Sequence, residues 1–478
     1  MSFTSPAFII FLPFIIILLR ILPKKARMPF LLASSYFFYA YYDVRFLILI
    51  LLTTTVSYFS GRIMNRTNSL SVRKCAIAVT ILVCIGTLIF FKYFNFFLTS
   101  TCSILNLFGI SAEFSGFPIL LPMGISFYTF QTMSYCFDVY SGKVEAETNF
   151  AYYALFIVFF PQLVAGPIER PKDLLPQLHG TLAPQGDDVV QGLRLLLRGY
   201  AKKILIADTL ALFVNTAYSD IAHASGAALL AATIFFAFQI YCDFSGYTDI
   251  ARGCALFLGI HLSNNFNHPY RAVSIRDFWS RWHMSLTRWF RDYLYIPLGG
   301  NRKGCFRQCV NILLTFLVSG LWHGANITYL IWGGIHGVYL ILETLLLKKK
   351  TIPARWRPLG RILTFVLVCF AWIFFRAPSL TDALYIITSI FTRFMPQQLL
   401  TGLGASSLQF MIVLCTMLLL PYLEQLPALA SHKSADAFSM AKELGTVLIY
   451  FVLILTVILC RILILTTNGS TSFIYFQF

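Results

Sequence analysis

Apolar runs alternate along this chain with short polar stretches rich in Lys and Arg. A helix needs about 20 apolar residues to cross a bilayer. By that measure the runs at 7–22, 30–42, 46–61, 75–98, 117–137, 152–164, 204–218, 228–241, 310–322, 328–347, 362–375, 409–426 and 446–465 predict membrane spans. Several are short. These are expected to include re-entrant or half-buried segments, which are tolerated where protein or a water-filled cavity satisfies the backbone.

The basic stretches then assign sides. Lys and Arg concentrate in cytoplasmic loops. This places Lys24, Lys25 and Arg27 in the cytoplasm, with Arg62, Arg66, Arg73 and Lys74. The same rule places Arg194, Arg198, Lys202 and Lys203, Arg302, Lys303 and Arg307, and Lys348–Lys350 there. The stretch 99–116 has no Lys or Arg and is expected outside, as are both termini. The first apolar run is followed by its positive charges, whereas a cleavable leader is preceded by them. It is therefore expected to be a retained first span.

The segment 274–298, SIRDFWSRWHMSLTRWFRDYLYIPL, breaks the pattern. It is too charged to cross and too aromatic for a loop. At about 100° per residue, Trp279, Leu286, Phe290 and Tyr293 share one face, and Arg281, Ser285, Arg288 and Asp292 the other. The pattern predicts an amphipathic helix lying at the membrane interface or packed on a bundle.

Composition adds little to this and removes several classes. The chain is 58% hydrophobic and 12% charged. Its mean hydropathy is +0.73. A soluble fold of 478 residues has too little interior for that much apolar surface. The net charge of +17 would suggest nucleic acid in a soluble chain. Here it resides in the basic loops, and nucleic-acid binding is set aside. The 11 Cys show no finger or CxxC spacing. They read as free thiols, with neither a metal site nor a disulfide framework. No GxSxG elbow, phosphate loop or HExxH motif is present.

What remains is a small set of polar residues inside apolar sequence. His283 lies on the aromatic face of the predicted amphipathic helix, and stays open between a core histidine and a functional one. His323 sits in GLWHGAN (320–326), with Trp322 before it and Asn326 after. An ionisable residue at membrane depth is expensive and is a functional candidate by default. The other reading is an interhelical hydrogen-bonding histidine. His336, in GGIHG (333–337), follows His323 by 13 positions, which on one helix points it to a different side. It reads as structural or supporting. Asp243 and Asp249 lie in YCDFSGYTD (241–249) and suggest either an ion path or N-caps of a broken helix. A neutral imidazole flanked by glycines suits general-base work on a hydroxyl attacking a thioester.

At these residues the chain resembles the membrane-bound O-acyltransferase superfamily, most closely its bacterial alginate O-acetyltransferase branch. The resemblance is carried by FPQLVAGPIERPKDLLPQL (160–178), YCDFSGYTDIARG (241–253), NFNHPYRAVSIRDFWSRWHMSLTRWFRDYLYIPLGGNRKG (265–304), GLWHGANITYLIWGGIHG (320–337) and the closing FIYFQF (473–478). Ile327 stands where the branch often has an aromatic residue. The resemblance implies that the fold is all-α, one polytopic helical bundle over residues 1–478 with a central tunnel or funnel. It implies that His323 is the catalytic histidine, that His283 is a second polar residue near the reaction centre, and that Trp322, Asn326, His336, Asp243, Asp249 and Arg281 are supporting or tunnel-lining positions. It implies a bacterial inner-membrane enzyme with no bound cofactor. An acyl thioester, acetyl-CoA or an acyl carrier, would enter from the cytoplasm. A polysaccharide acceptor and an extracytoplasmic esterase-like partner would complete the transfer outside.

Two alternatives stand beside this expectation. One is acylation of a lipid or another wall polymer, as in teichoic-acid D-alanylation. The other is a transporter using Asp243 and Asp249, although the paired broken helices of inverted repeats are not seen in the sequence.

Overall fold

The computed structural model describes residues 1–347 and 352–425. The predicted span at 446–465, the cluster Lys348–Lys350 and the motif at 473–478 fall wholly or mainly outside the described residues. The described residues form helices and no strands. Among the described residues, six helices are long and apolar enough to cross a membrane: Val44–Arg66, Leu70–Leu107, Gly226–Phe257, Gly304–His323, Ile327–Leu347 and Ala354–Arg376. A seventh would be a bent pair, Pro396–Gly402 with Ser407–Leu418. The all-α polytopic architecture expected from the apolar runs is present.

The chain divides into two compact units. The first comprises Met1–Gln185, Phe257–Asn264 and His283–Asn326. Within it, Val44–Arg66 is packed against both its successor helix and Ile125–Tyr140. Its buried face carries Thr53, Thr54, Ser57, Ser60 and Gly61. Without a hydrophobic drive between helices in lipid, small residues allow the close approach that gives packing its energy. Tyr153 adds a polar tie, its hydroxyl 2.6 Å from Ser57 Oγ. Ile125–Tyr140 is consequently buried along almost its whole length.

The second unit comprises Gly186–Leu256, Asn265–Trp282 and the chain from Ile327. Its centre is the helix Gly226–Phe257, with buried residues on every side. Glycines let it touch the preceding helical run. A Cβ on Gly246 would meet the Gly199 carbonyl oxygen at 2.8 Å, and one on Gly253 would meet that of Gly192 at 2.7 Å. Only glycine permits this backbone-to-backbone approach.

Several expectations are corrected in detail. Residues 117–137 do not form one helix: Pro118, Pro122 and Gly124, whose φ is +71°, delay it to Ile125–Tyr140. The stretch 99–116, expected to be a loop, is helical as far as Leu107. Lys24, Lys25 and Arg27 lie in the helix Lys24–Ala40, not in a loop. Arg194, Arg198, Lys202 and Lys203 likewise lie in helix, and Arg194, Lys202 and Lys203 are buried. Charge alone could not distinguish a solvated loop from a buried ion-paired face.

Candidate active site

The segment 274–298 is helical in pieces. Ser274 caps Ile275–Trp279, its Oγ accepting from the Asp277 N–H. The chain then turns at His283, whose φ of 40° and ψ of 55° are left-handed, before Met284–Phe290 begins. Such a conformation costs a non-glycine residue on the order of 1–3 kcal/mol and persists where the surroundings over-determine it. Fixed partners on the following turn supply that constraint. Ser285 Oγ accepts from the Ile168 N–H at 3.1 Å. Trp289 Nε1 donates to the Phe130 carbonyl at 3.0 Å, and its ring stacks on Phe130 at 3.7 Å. The two-face pattern expected of one straight helix is therefore corrected: Ser285 is buried with the aromatics.

His283 itself is fully buried. Phe127 stacks on it at 6.3 Å, and the Trp322 ring stands edge-on at 6.1 Å. Burial pulls its imidazole down from 6.5 to about 3, since desolvation disfavours the charged form. It is neutral at physiological pH.

His323 is the last residue of Gly304–His323 and is buried. Its ring lies 5.0 Å from Trp322. The first unit thus brings three candidates together, with the Trp322 indole flanked by the His283 and His323 imidazoles. Asn326 is half-buried in the short link that follows. Phe127 and Phe130 pack on the indole at 5.4 and 5.5 Å. Phe127 also borders a small pocket shared with Tyr128, Gln131, Gln162 and Ile168.

A helix C-terminus leaves carbonyls without intrahelical donors. Here Lys92 Nζ donates to the carbonyls of Trp322 at 2.7 Å and His323 at 3.0 Å. Tyr93 donates its hydroxyl to Leu321 O at 2.7 Å. A cation at this end also complements the helix dipole. Lys92 and Tyr93 belong to a π-helical turn, Ile89–Tyr93, a local widening found often at functional sites. The sequence reading passed over Lys92. Its signal was a lone cation in IFFKYFNFF (89–97), inside a predicted span.

The remaining candidates lie in the second unit with partners of their own. His336 Nδ1 accepts from Trp279 Nε1 at 3.3 Å, and Phe278 and Trp332 pack on its ring. Arg281 pairs with Asp277 at 2.6 Å. Asp249 binds Arg198 through both carboxylate oxygens and Lys202 at 3.1 Å. Asp243 meets Lys203 at 2.7 Å, which also reaches Asp208 at 2.9 Å. Glu424 joins Lys202 at 3.6 Å and accepts from the Tyr241 hydroxyl. The helix carrying Asp243 and Asp249 runs unbroken from Gly226 to Phe257, so the capping role read for them is corrected. They are ion-pair partners within the unit.

Comparison with known proteins identifies the family of the chain. Residues 144–382 match the model of the membrane-bound O-acyltransferase family. The chain is 41% identical over 398 residues to a protein named "Probable alginate O-acetylase" from Pseudomonas aeruginosa, covering 82% of this chain and 75% of that one. It is 34% identical over 422 residues to a peptidoglycan O-acetyltransferase of Helicobacter pylori, covering 80% and 79%. A teichoic acid D-alanyltransferase of Bacillus subtilis is 30% identical over 268 residues, 53% of this chain and 68% of its own length.

Proposed function

The chain belongs to the membrane-bound O-acyltransferase family, and from that premise we propose that this multi-pass O-acyltransferase moves an acetyl group from a thioester to a hydroxyl of a cell-surface polysaccharide. The observation that carries the reading is the pairing of His323 and His283 about one indole, in a chain similar to alginate and peptidoglycan O-acetylating proteins.

The chemistry assigned to these residues is as follows. His323 is the general base. Neutral imidazole takes the proton of the acceptor hydroxyl as its oxygen attacks the thioester carbon, then returns it to the departing thiolate. Lys92 and Tyr93 hold the helix end that aims His323. His283, kept neutral by burial, is a second hydrogen-bonding group in the same apolar surroundings. Exclusion of water from such surroundings strengthens each of these hydrogen bonds.

The donor in this reading is acetyl-CoA or an acyl carrier, presented on the cytoplasmic side of a bacterial inner membrane. The acceptor hydroxyl at His323 is then that of an extracytoplasmic esterase-like protein, which takes the acyl group through a tunnel in a single catalytic domain and completes transfer to the polysaccharide. A different wall polymer is the second reading, favoured by the match to the D-alanyltransferase over about half the chain. The deciding experiment is complementation of a deletion strain, with ester-linked acyl groups released from surface polymers by mild alkali. Acetate on polysaccharide supports the reading, D-alanine on teichoic acid replaces the acceptor, and unchanged acylation on deletion defeats both.

A further inference from the structure

We propose that the indole N–H of Trp322 is a catalytic hydrogen-bond donor that holds the oxyanion formed during transfer. This rests on the reading of His323 as general base and assigns the group that faces the opposite side of the reaction.

An indole has one donor and no acceptor. Trp322 is 3% exposed, and its Nε1 has no hydrogen-bond partner among the described residues. A buried donor left unmatched is destabilising unless a ligand takes it up. The other buried indole of the same unit is matched. Trp289 is also buried, and its Nε1 donates to the Phe130 carbonyl. Phe130 thus serves Trp289 with its carbonyl and its ring, and Trp322 with its ring alone.

Position supports the assignment. Trp322 is held on several sides by Phe127, Phe130, His283 and His323, so its N–H is fixed in direction. Donors fixed in place before the charge develops need no reorganisation, which is where their catalytic advantage arises. Lys92 Nζ lies 6.0 Å over the indole ring. Base and oxyanion donor are then consecutive residues on the last turn of one helix, tied by one lysine.

In the step, the acceptor oxygen bonds to the thioester carbon and its proton passes to His323. The carbonyl π electrons move to oxygen, which accepts from Trp322 Nε1. The carbonyl reforms as the C–S bond breaks, and the thiolate takes the proton from His323.

The test replaces the N–H and keeps the ring. Full-length protein carrying benzothienylalanine at position 322, where sulfur stands for the N–H, is compared with Trp322→Phe, His323→Ala and the unchanged protein. Each is expressed in the deletion strain, and the initial rate of ester-linked acyl appearance on surface polymer is normalised to folded protein. Removing one oxyanion donor costs about 10²–10³-fold in rate. Both position-322 variants are expected to fall on that scale, with the benzothienyl protein unfolding at the wild-type temperature. A benzothienyl variant at the wild-type rate, with His323→Ala inactive, overturns the indole assignment alone. A His323→Ala protein at the wild-type rate, or an unchanged protein that restores no acylation, overturns the general-base reading and this assignment with it.

Discussion

The two compact units bury polar groups in opposite ways. In the first, His283 and Trp322 lie among phenylalanines with His323 against the indole, and the amine beside them, Lys92, is given to backbone carbonyls. In the second, Arg198, Lys202 and Lys203 meet Asp208, Asp243, Asp249 and Glu424 side chain to side chain. Full charges in an apolar interior are tolerated only when matched closely. The ionic cluster is therefore a rigid fastening between helices. The histidine pair sits in a place where a charge would be costly until the reaction creates one. That difference separates a structural from a chemical use of buried polarity, and it can be tested residue by residue.

The largest effect is expected at His323. A positioned general base contributes about 10²–10⁴-fold, so His323→Ala should lose transfer on that scale while the protein still inserts. His323→Gln can donate a hydrogen bond but cannot take up a proton, and should be nearly as inactive. Initial acylation rates of both variants check this, and a folded Gln variant with near-normal transfer would remove the general base from the mechanism.

The ionic cluster should respond in stability instead. Asp249→Ala leaves half-buried Arg198 and buried Lys202 beside a missing carboxylate. Breaking a buried pair costs about 3–5 kcal/mol, read as loss of folded protein in detergent. Acylation per folded molecule should stay close to wild type. A large rate loss without destabilisation would move Asp249 from fastening to chemistry.

Lys92→Met should fall between these cases. Hydrogen bonds to charged groups are worth about 1.5–3 kcal/mol, and the loss frees the end of the helix that carries His323. Roughly a tenfold drop in transfer is expected, with partial rescue by Lys92→Arg. Equal rates for Met and wild type would show that the helix end holds itself.

The smallest effect concerns pH. His283 titrates at 6.5 when exposed and at about 3 when buried. The unfolded chain therefore binds more protons as pH falls, and the stability present above the unfolded value is lost as pH drops toward the folded one. The loss is roughly 1 kcal/mol by about pH 5.5. His283→Phe should flatten this slope in thermal unfolding between neutral and mildly acid pH. An unchanged slope would assign the acid sensitivity to other groups.

Much of this was legible in the chain itself. Long apolar runs cannot be hidden by a soluble fold, so the helical, membrane-crossing class followed from hydropathy alone. GLWHGAN and WSRWHMS stood out because histidine is expensive in such surroundings. Tertiary structure decided which polar residues share a unit. Periodicity orders residues along one straight helix and cannot foresee a left-handed turn at His283, which re-aims everything after it. Nor can loop charge reveal that Lys202 and Lys203 lie buried, because Asp249, which meets Lys202, is 47 positions away in sequence and Asp243, which meets Lys203, is 40. Lys92 meets the end of the His323 helix across a separation of 231 positions. Contacts at that distance depend on how helices pack, and packing is a property of the folded chain.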